Sequence, residues 1–382
     1  MKLFEFEAKK ILVKKLIPVP EGILCADKDE IKRAYEDMGG NVVLKSQVLV
    51  GGRGKAGGIL FPKNSQEAAE MGQKLLAVEI KGEPVQKILV EKALDIDEEY
   101  YLGIITDTDK GCPLLMFSAE GGMEIEDLAK ERPESIKRTN INPLLGLSGH
   151  KVRYLLRDAD VPLNYHNQII KIAIALYKTY WEMDGELIEI NPLVVTKQGE
   201  IVAADTKFNI DNSALYRQPE VPKRPSQTVE ERAADLGLSY VLLEGNIGII
   251  SNGAGLTMAT MDHLNLAGGL PANFLDCGER ILTDGVRDGM KIILEKPNVR
   301  AILINIFAGG PRCDVIAEKI VETINQMEKE RMLHVDVVVT LHGRYMKEGI
   351  KILSQCKSPH LYHELEIEDA VHKVVELGAK AK

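Results

Sequence analysis

The segment from Lys45 to Phe61 reads KSQVLVGGRGKAGGILF, and its first fourteen positions, Lys45 to Gly58, hold five glycines and three basic residues. Such a composition lets a backbone approach an anion closely, with fixed positive charge alongside. Three phosphate grips compete for it. A P-loop needs GxxxxGK followed by Ser or Thr, whose hydroxyl holds magnesium. Here Ala56 comes after Gly54 and Lys55, and Leu49 fills the first glycine position. Gly52, Gly54 and Gly57 do spell GxGxxG, but a dinucleotide fingerprint opens directly into a helix whose N-terminus takes the pyrophosphate. The flanking residues here are GILFPKNS, an apolar run stopped by proline, and that pattern is strand. The third grip fits. A strand VVLKSQVLV, a glycine hairpin and a second strand GILF make a flap whose N–H groups close over phosphates. Arg53 and Lys55 add charge, and Lys45 sits on the first strand, where a fixed ammonium can meet the α- and β-phosphates. For this segment alone, a flexible solvated hairpin is the plain alternative.

The rest of the chain bounds the reading. It has 382 residues, 45% hydrophobic and 27% charged, enough for two or three domains at roughly 100–200 residues each. Forty-eight basic against 57 acidic residues leave a net charge of −9. That argues against nucleic acid or an anionic membrane as the main partner, so any anion site is local. The five cysteines, Cys25, Cys112, Cys277, Cys313 and Cys356, are dispersed without CxxC spacing and read as reduced thiols. The N-terminal MKLFEFEAKKILVKKLIPVPEG reads as a surface helix and not as a signal peptide. No apolar run approaches the roughly eighteen residues of a membrane span. A cytoplasmic protein is expected.

Two textures divide the chain. Up to about residue 218, hairpin-like strands (KILVEKAL, EEYYLGIITDT, PLLMFSAEGG) mix with few long helices. From about 245, strand, glycine-bearing loop and helix recur: NIGIISNGAGLTMATMDHLNL, ANFLDCGERILTDGVRDGMKIILE, RAILINIFAGGPRCDVIAEKIVETINQ and VDVVVTLHGRYMKEGIKILS. This alternation predicts a parallel sheet with crossover helices. Between the halves, RQPEVPKRPSQTVEER carries three prolines in nine residues and reads as a linker.

A second constellation lies in ELIEINPLVVTKQGEIVAADTKFNIDNSALYRQ. Glu189 and Asn191 share a strand face. A three-residue loop, Lys197 to Gly199, sets Asn191 opposite Asp205, whereas a slip of one residue breaks the pairing. An Asn carbonyl and an Asp carboxylate are the hard oxygen ligands that magnesium takes beside nucleotide phosphates; buried polar residues capping a strand are the alternative. Glu91, at a strand end, suits either an acceptor for a nucleotide's base or ribose, or an ordinary surface position. In an open parallel sheet, ligands bind beyond the carboxyl ends of strands. Three loops qualify there: Asn252 to Gly255, Cys277 to Arg280, and Ala308 to Arg312. Their N–H groups can hold a carboxylate, with a side-chain bond from Asn252, or their glycines are turn chemistry alone.

Taken in order, FEFEAKKIL, KSQVLVGGRGKAGG, ILVEKALDIDEEYYLG, EGGMEIE, LIEINPLVVTKQG, NGAGLTMATMD, PANFLD and INIFAGGPRCD resemble the β subunits of succinate–CoA ligases, from residue 1 to near the C-terminus. The resemblance implies an α/β and α+β chain. An N-terminal ATP-grasp domain (1–218, lid about 21–100) is succeeded by a linker (219–244) and a flavodoxin-like domain (245–382). It implies Mg2+, ATP or GTP, and CoA. It also implies a partner α subunit carrying the CoA site and a phosphorylated histidine, assembled as αβ or α2β2. By the same resemblance, Lys45, Gly52, Arg53, Gly54, Glu91, Leu94 and Glu99 stand at nucleotide positions, and Asn191 and Asp205 at the magnesium pair. Glu189 stands as the acid that steadies the partner's histidine, and Asn252, Gly309, Gly310 and Pro311 as the loops that hold the acid substrate. The implied reaction is NTP + dicarboxylate + CoA ⇌ NDP + phosphate + acyl-CoA. None of the eight histidines lies in a Gly-rich phosphate-transfer loop, which agrees with chemistry shared with a partner.

The chain departs from the family at three places. Leu49 stands where His is common, Cys277-Gly278-Glu279-Arg280 replaces a run of three glycines, and Ala308-Gly309-Gly310-Pro311 replaces Gly-Gly-Ile and a variable residue. Pro311 removes a backbone donor, and Glu279 and Arg280 bring charge to the acid loops. These changes suit either a different short acid, malate or a sulfonate, clamped by Arg280, or neutral variation around succinate. An amine-acylating ATP-grasp ligase and a nucleotide-sensing subunit without turnover are the competing functions.

Overall fold

The computed structural model describes residues 1–222, 224 and 228–380. The chain divides into a unit of Met1–Pro222 and a unit of Lys223–Lys382.

The first unit contains two principal antiparallel sheets. The smaller orders its strands Gly22–Cys25, Ile88–Lys92, Val42–Ser46 and Ile59–Leu60. Helices Lys28–Asp37 and Ser65–Leu76 cover it over a core that includes Ile31, Leu44, Ala68, Ile88 and Val90. The Asp27 and Asn64 side chains cap these helices by accepting from backbone N–H groups of their first turns. The larger sheet is built on two twelve-residue strands, Ile96–Asp107 and Gly185–Thr196, which pair antiparallel. Alternation along the latter buries Ile188 and Ile190 on the core face and turns Glu189 and Asn191 to the other.

The first unit is more helical than its sequence texture suggested. Leu163–Glu182, at 20 residues, is a long amphipathic helix. Its Ile169, Ala173, Leu176 and Tyr180 recur every three or four positions and pack into the core. The N-terminal helix Glu5–Lys14 departs from the surface helix expected. Its inward stripe is Glu5, Ala8, Lys9 and Leu12, all buried, so two charged residues occupy core-facing positions. Burial of charge requires partners, and the site supplies them.

The second unit is one sheet. Its parallel strands are Ile247–Ser251, Asn273–Asp276, Ala301–Ala308, Asp336–Gly343 and Leu361–His363, and the edge strand Ser239–Leu242 runs antiparallel to Asn273–Asp276. Numbered along the chain, the parallel strands lie in the order 2-1-3-4-5, the flavodoxin-like arrangement. Both faces are apolar, as a doubly covered sheet requires. Ile302, Ile304 and Ile306 pack on one side, and Leu303 and Val338 on the other. The stretch expected as a linker holds the helix Val229–Asp235, opened by a Thr228–Glu231 capping box, and the edge strand Ser239–Leu242. Residues 223 and 225–227 of that stretch lie outside the described residues. Among the described residues no helix is long and apolar enough to cross a membrane.

Candidate functional site

Six charged side chains of the first unit form one chain of contacts. Glu5 Oε1 accepts from Lys45 Nζ at 3.2 Å and lies 2.8 Å from Lys9 Nζ. Its Oε2 accepts from Gln47 Nε2 at 3.1 Å and from Arg53 Nη2. Lys9 donates to Glu91 Oε1 and, at 2.7 Å, to the Ala204 carbonyl. Lys45 donates to the same carbonyl at 2.7 Å, and its Nζ lies 2.6 Å from Glu91 Oε2 as an ion pair off the hydrogen-bonding direction. Arg53 Nη2 reaches both oxygens of Asp205 at 3.0 and 2.9 Å, while Nη1 donates to the Ser46 carbonyl at 2.9 Å. Three cations thus face three carboxylates. Burial opposes the Glu5 charge, but Arg53, Lys45 and Lys9 hold its carboxyl well below the usual range. Burial likewise opposes the Lys45 ammonium, yet Glu5, Glu91 and Asp205 hold its pKa above the ordinary lysine value. Burial pulls Lys9 downward. Glu91 is 1% exposed, which corrects the surface alternative for that residue: its carboxylate is the counter-ion of two buried lysines.

The flap forms as the glycines suggested, between strands Val42–Ser46 and Ile59–Leu60, which pair antiparallel. Gly52 turns at φ 73°, and a Cβ at Gly58 would lie 2.4 Å from Ser46 Oγ, so the base of the flap closes only around glycine. Lys81 donates to the Gly51 carbonyl at 2.6 Å, and Glu83 accepts the Leu49 N–H at 2.7 Å. Lys55 reaches Asp127 on the exposed surface.

The hairpin register is the one a three-residue loop dictates. Leu193 pairs with Ala203 and Ile190 with Thr206, and the Asn191 N–H donates to the Asp205 carbonyl at 3.1 Å. The Asn191 Oδ1 accepts from the Gly122 N–H at 2.9 Å, and its Nδ2 donates to the Met123 carbonyl at 2.7 Å. Glu189 accepts from the Tyr101 hydroxyl at 3.0 Å and lies 3.9 Å from Lys207. Burial raises its pKa, with Lys207 and Tyr101 opposing. Glu5, Arg53, Glu189, Asn191, Asp205 and Lys207 line one cavity of about 240 Å³, with Gly52 and Gly54 of the flap in its wall. Lys45 and Glu91 lie in the charge chain behind it. Leu94, between two strands, and Glu99, whose carbonyl accepts the Gly121 N–H at 2.9 Å, do not line the cavity. Among the described residues no group of three His, Cys, Asp or Glu is placed to hold a metal. Asn191 and Asp205 nevertheless offer two hard oxygen donors in the wall of this cavity, a set that fits magnesium sharing its ligands with a nucleotide.

Sequence reasoning missed Glu5, Lys9, Gln47 and Tyr101. For the first two a signal existed: Glu5, Ala8, Lys9 and Leu12 share a helical stripe, and charges on an apolar stripe need buried partners. Tyr101 carries none, because its approach to Glu189 depends on the pairing of strands distant in sequence.

In the second unit, Asn252 lies at the switch point, where the first and third parallel strands adjoin. Its carboxamide accepts from the Phe307 N–H at 2.9 Å and donates to the Phe307 carbonyl at 2.8 Å, so the side chain expected to reach a ligand ties two strand ends together. Asp276 accepts from the Gly253 and Gly278 N–H groups at 2.6 and 2.8 Å. Arg280 is 40% exposed and donates to Asp288 at 2.9 Å. Among the described residues its Nε is without a hydrogen-bond partner, and Glu279 is exposed. Gly309, Gly310 and Pro311 precede the helix Cys313–Lys329, with open space where a Cβ at either glycine would stand. Beside them the Phe307 ring stacks on His342 at 4.9 Å, and the Arg312 guanidinium lies 3.8 Å from the centre of the Tyr345 ring.

Residues 2–195 match the family model of the ATP-grasp domain, and residues 250–359 that of the CoA-ligase domain. The chain is 41% identical to the GDP-forming succinate–CoA ligase subunit beta of Thermus thermophilus and 40% identical to the ADP-forming one of Aquifex aeolicus, over 100% of each chain. An ADP-forming relative from Archaeoglobus fulgidus is 40% identical over 99% of both. Among solved structures, ATP citrate lyase from Methanothrix soehngenii, determined with citrate and coenzyme A, superposes with a TM-score of 0.72, covering 98% of this chain and 99% of that one at 19% identity. That likeness is one of fold.

Proposed function

The chain belongs to the family of succinate–CoA ligase β subunits, and on that premise we propose that it carries the nucleotide half of an NDP-forming acyl-CoA ligase whose acid is succinate. The observation that carries the proposal is the convergence of Arg53, Glu189, Asn191 and Asp205 on one cavity backed by Lys45. Lys45 and Arg53 bind the nucleotide phosphates by charge-assisted hydrogen bonds and orient the terminal phosphoryl group. The Gly52 to Gly54 backbone closes over them and excludes water. Asn191 and Asp205 hold Mg2+, which when bound neutralises charge across the phosphate oxygens. Glu189 accepts the ring N–H of a histidine brought by the partner α subunit, which leaves the lone pair of the other ring nitrogen directed at phosphorus. Burial suits Glu189 to this task, because a carboxylate poorly solvated by water gains more from the arriving N–H. In the second unit the Gly309 N–H is bonded to the Phe307 carbonyl at 3.1 Å, so the Gly310 N–H and the loop tied by Asn252 receive the acid, which takes the phosphoryl group from histidine before the CoA thiol displaces the phosphate.

Full-length relatives named for succinate support that acid over a sulfonate or malate. Relatives at 41% and 40% identity are named for GDP and ADP respectively, so both nucleotides belong in the assay. The five free cysteines support a reducing, cytoplasmic setting. The test is co-expression with the neighbouring α-type subunit, with phosphate release measured as a function of Mg-ATP or Mg-GTP, CoA and a panel of short acids. Turnover that requires CoA and prefers succinate is expected, and native mass distinguishes αβ from α2β2. Turnover with another acid alone would overturn the substrate assignment.

A further inference from the structure

We propose that Arg53 is a built-in counter-ion of Asp205 that is exchanged for the divalent cation when nucleotide binds, so that the cation reaches this site with the phosphates and not alone. The inference rests on the reading of Asn191 and Asp205 as cation ligands and adds an order of events to it. Both carboxylate oxygens of Asp205 are engaged by a single guanidinium nitrogen, Nη2 of Arg53. Among the described residues Arg53 is the cation that ion-pairs with Asp205; Lys9 and Lys45 pair with Glu5 and Glu91 instead. The Arg53 side chain is only 8% exposed, and swinging it out to water would leave the half-buried Asp205 carboxylate without its ion-pair partner.

A divalent ion arriving alone must push this guanidinium from Asp205 and adds two positive charges to a cluster already balanced at three against three. The same ion arriving with a di- or triphosphate brings its own neutralising charge. The released Nη2–H then finds a phosphate oxygen in the position it left, so one charge-assisted bond replaces another. Arg53 is retained throughout: Glu5 still accepts from Nη2 and the Ser46 carbonyl from Nη1. The flap that carries it is pinned by Lys81 on the Gly51 carbonyl and by Glu83 on the Leu49 N–H. Glu5 therefore has a positioning role, as the second carboxylate that holds Arg53 near the phosphates once Asp205 has passed to the cation.

The experiment uses the full chain without nucleotide and Mn2+ as the probe, a cation that takes the same oxygen ligands, with free Mn2+ read by electron paramagnetic resonance after dialysis. Arg53→Gln is expected to bind Mn2+ at least about tenfold more tightly than the unaltered chain, since a guarded carboxylate becomes free. Adding Asp205→Asn to that variant is expected to abolish the gain. Glu5→Gln keeps an oxygen acceptor but removes the rival negative charge, which tightens Arg53 on Asp205 and weakens Mn2+ binding; its opposite sign keeps the test decisive should Arg53→Gln not fold. Equal Mn2+ affinity in the unaltered chain and Arg53→Gln, or stronger binding in Glu5→Gln, overturns the exchange. A gain that survives Asp205→Asn overturns it together with the assignment of Asp205. Failure of the succinate assay with the Asp205-dependent gain intact would instead overturn the proposed reaction and leave the exchange standing.

Discussion

Replacing Glu189 by Gln should stabilise the protein while removing most of its activity. The Glu189 side chain is 13% exposed, and among the described residues the cation that pairs with it, Lys207, stands 3.9 Å away and is itself 41% exposed. A pair that open contributes at most about 1 kcal/mol, which is less than burial removes, and the carboxyl pKa is accordingly raised by burial. A carboxamide of the same shape keeps the acceptor for the Tyr101 hydroxyl and carries no charge to desolvate. The expected gain at neutral pH is about 1 kcal/mol, a rise of about 2–4 °C in melting temperature for a unit of this size. Linkage fixes the sign. A carboxyl whose folded pKa lies above its unfolded value destabilises the fold at pH above the folded value, and the penalty vanishes once pH drops below the unfolded one. The advantage of Glu189→Gln should therefore be full near pH 8, shrink as pH falls, and be gone below the ordinary glutamate value of 4.5. Paired urea titrations of the two proteins across that range measure it. Activity should fall by about 100-fold or more, because the amide no longer holds the incoming imidazole as a charged acceptor does. A variant less stable than its parent at pH 8, or a difference independent of pH, would refute the reasoning.

Lys45→Met should weaken Mg-ADP and Mg-GDP binding about ten- to a hundredfold, the worth of one or two charge-assisted hydrogen bonds, as read by calorimetry; unchanged affinity would remove Lys45 from the nucleotide site. Arg280→Ala should leave the order of preference among acids unchanged and lower stability by less than about 1 kcal/mol, since it breaks a half-exposed pair with Asp288. A switch in preferred acid would restore Arg280 as a determinant of specificity. At Gly121 a Cβ would lie 2.6 Å from the Tyr100 backbone nitrogen, so Gly121→Ala should cost about 1–3 kcal/mol. It should also raise the Mg2+ requirement, because the adjoining Gly122 N–H would move off Asn191; a normal Mg2+ titration would argue that this bond does not orient the ligand.

Much of the architecture was legible along the chain because it depends on local period. Strand, glycine loop and helix recur after residue 245, and that repeat entails the parallel sheet. The KQG turn sets the hairpin register by loop length alone, so the alignment of Asn191 with Asp205 could be derived from the chain itself. The flap was readable because glycines leading into a strand exclude both helical phosphate grips. Where side chains meet across sequence distance, local reading stopped. Glu91 looked like a surface residue at a strand end, yet it is the buried counter-ion of Lys9 and Lys45. Asn252 and Arg280 looked free to meet a ligand, and each has an internal partner, Phe307 and Asp288. The long helix Leu163–Glu182 was carried by its apolar spacing, which the strand-rich texture around it obscured.

The sequence by itself determined the elements, the hairpin register and the residue types able to grip phosphate, since each rests on contacts within a few positions of the chain. The tertiary structure alone decided which charges neutralise one another. Glu5 meets Arg53 across 48 positions and Arg53 meets Asp205 across 152. Pairings of that span depend on how sheets and helices pack, because a buried charge must be answered by whichever opposite charge the fold brings within reach.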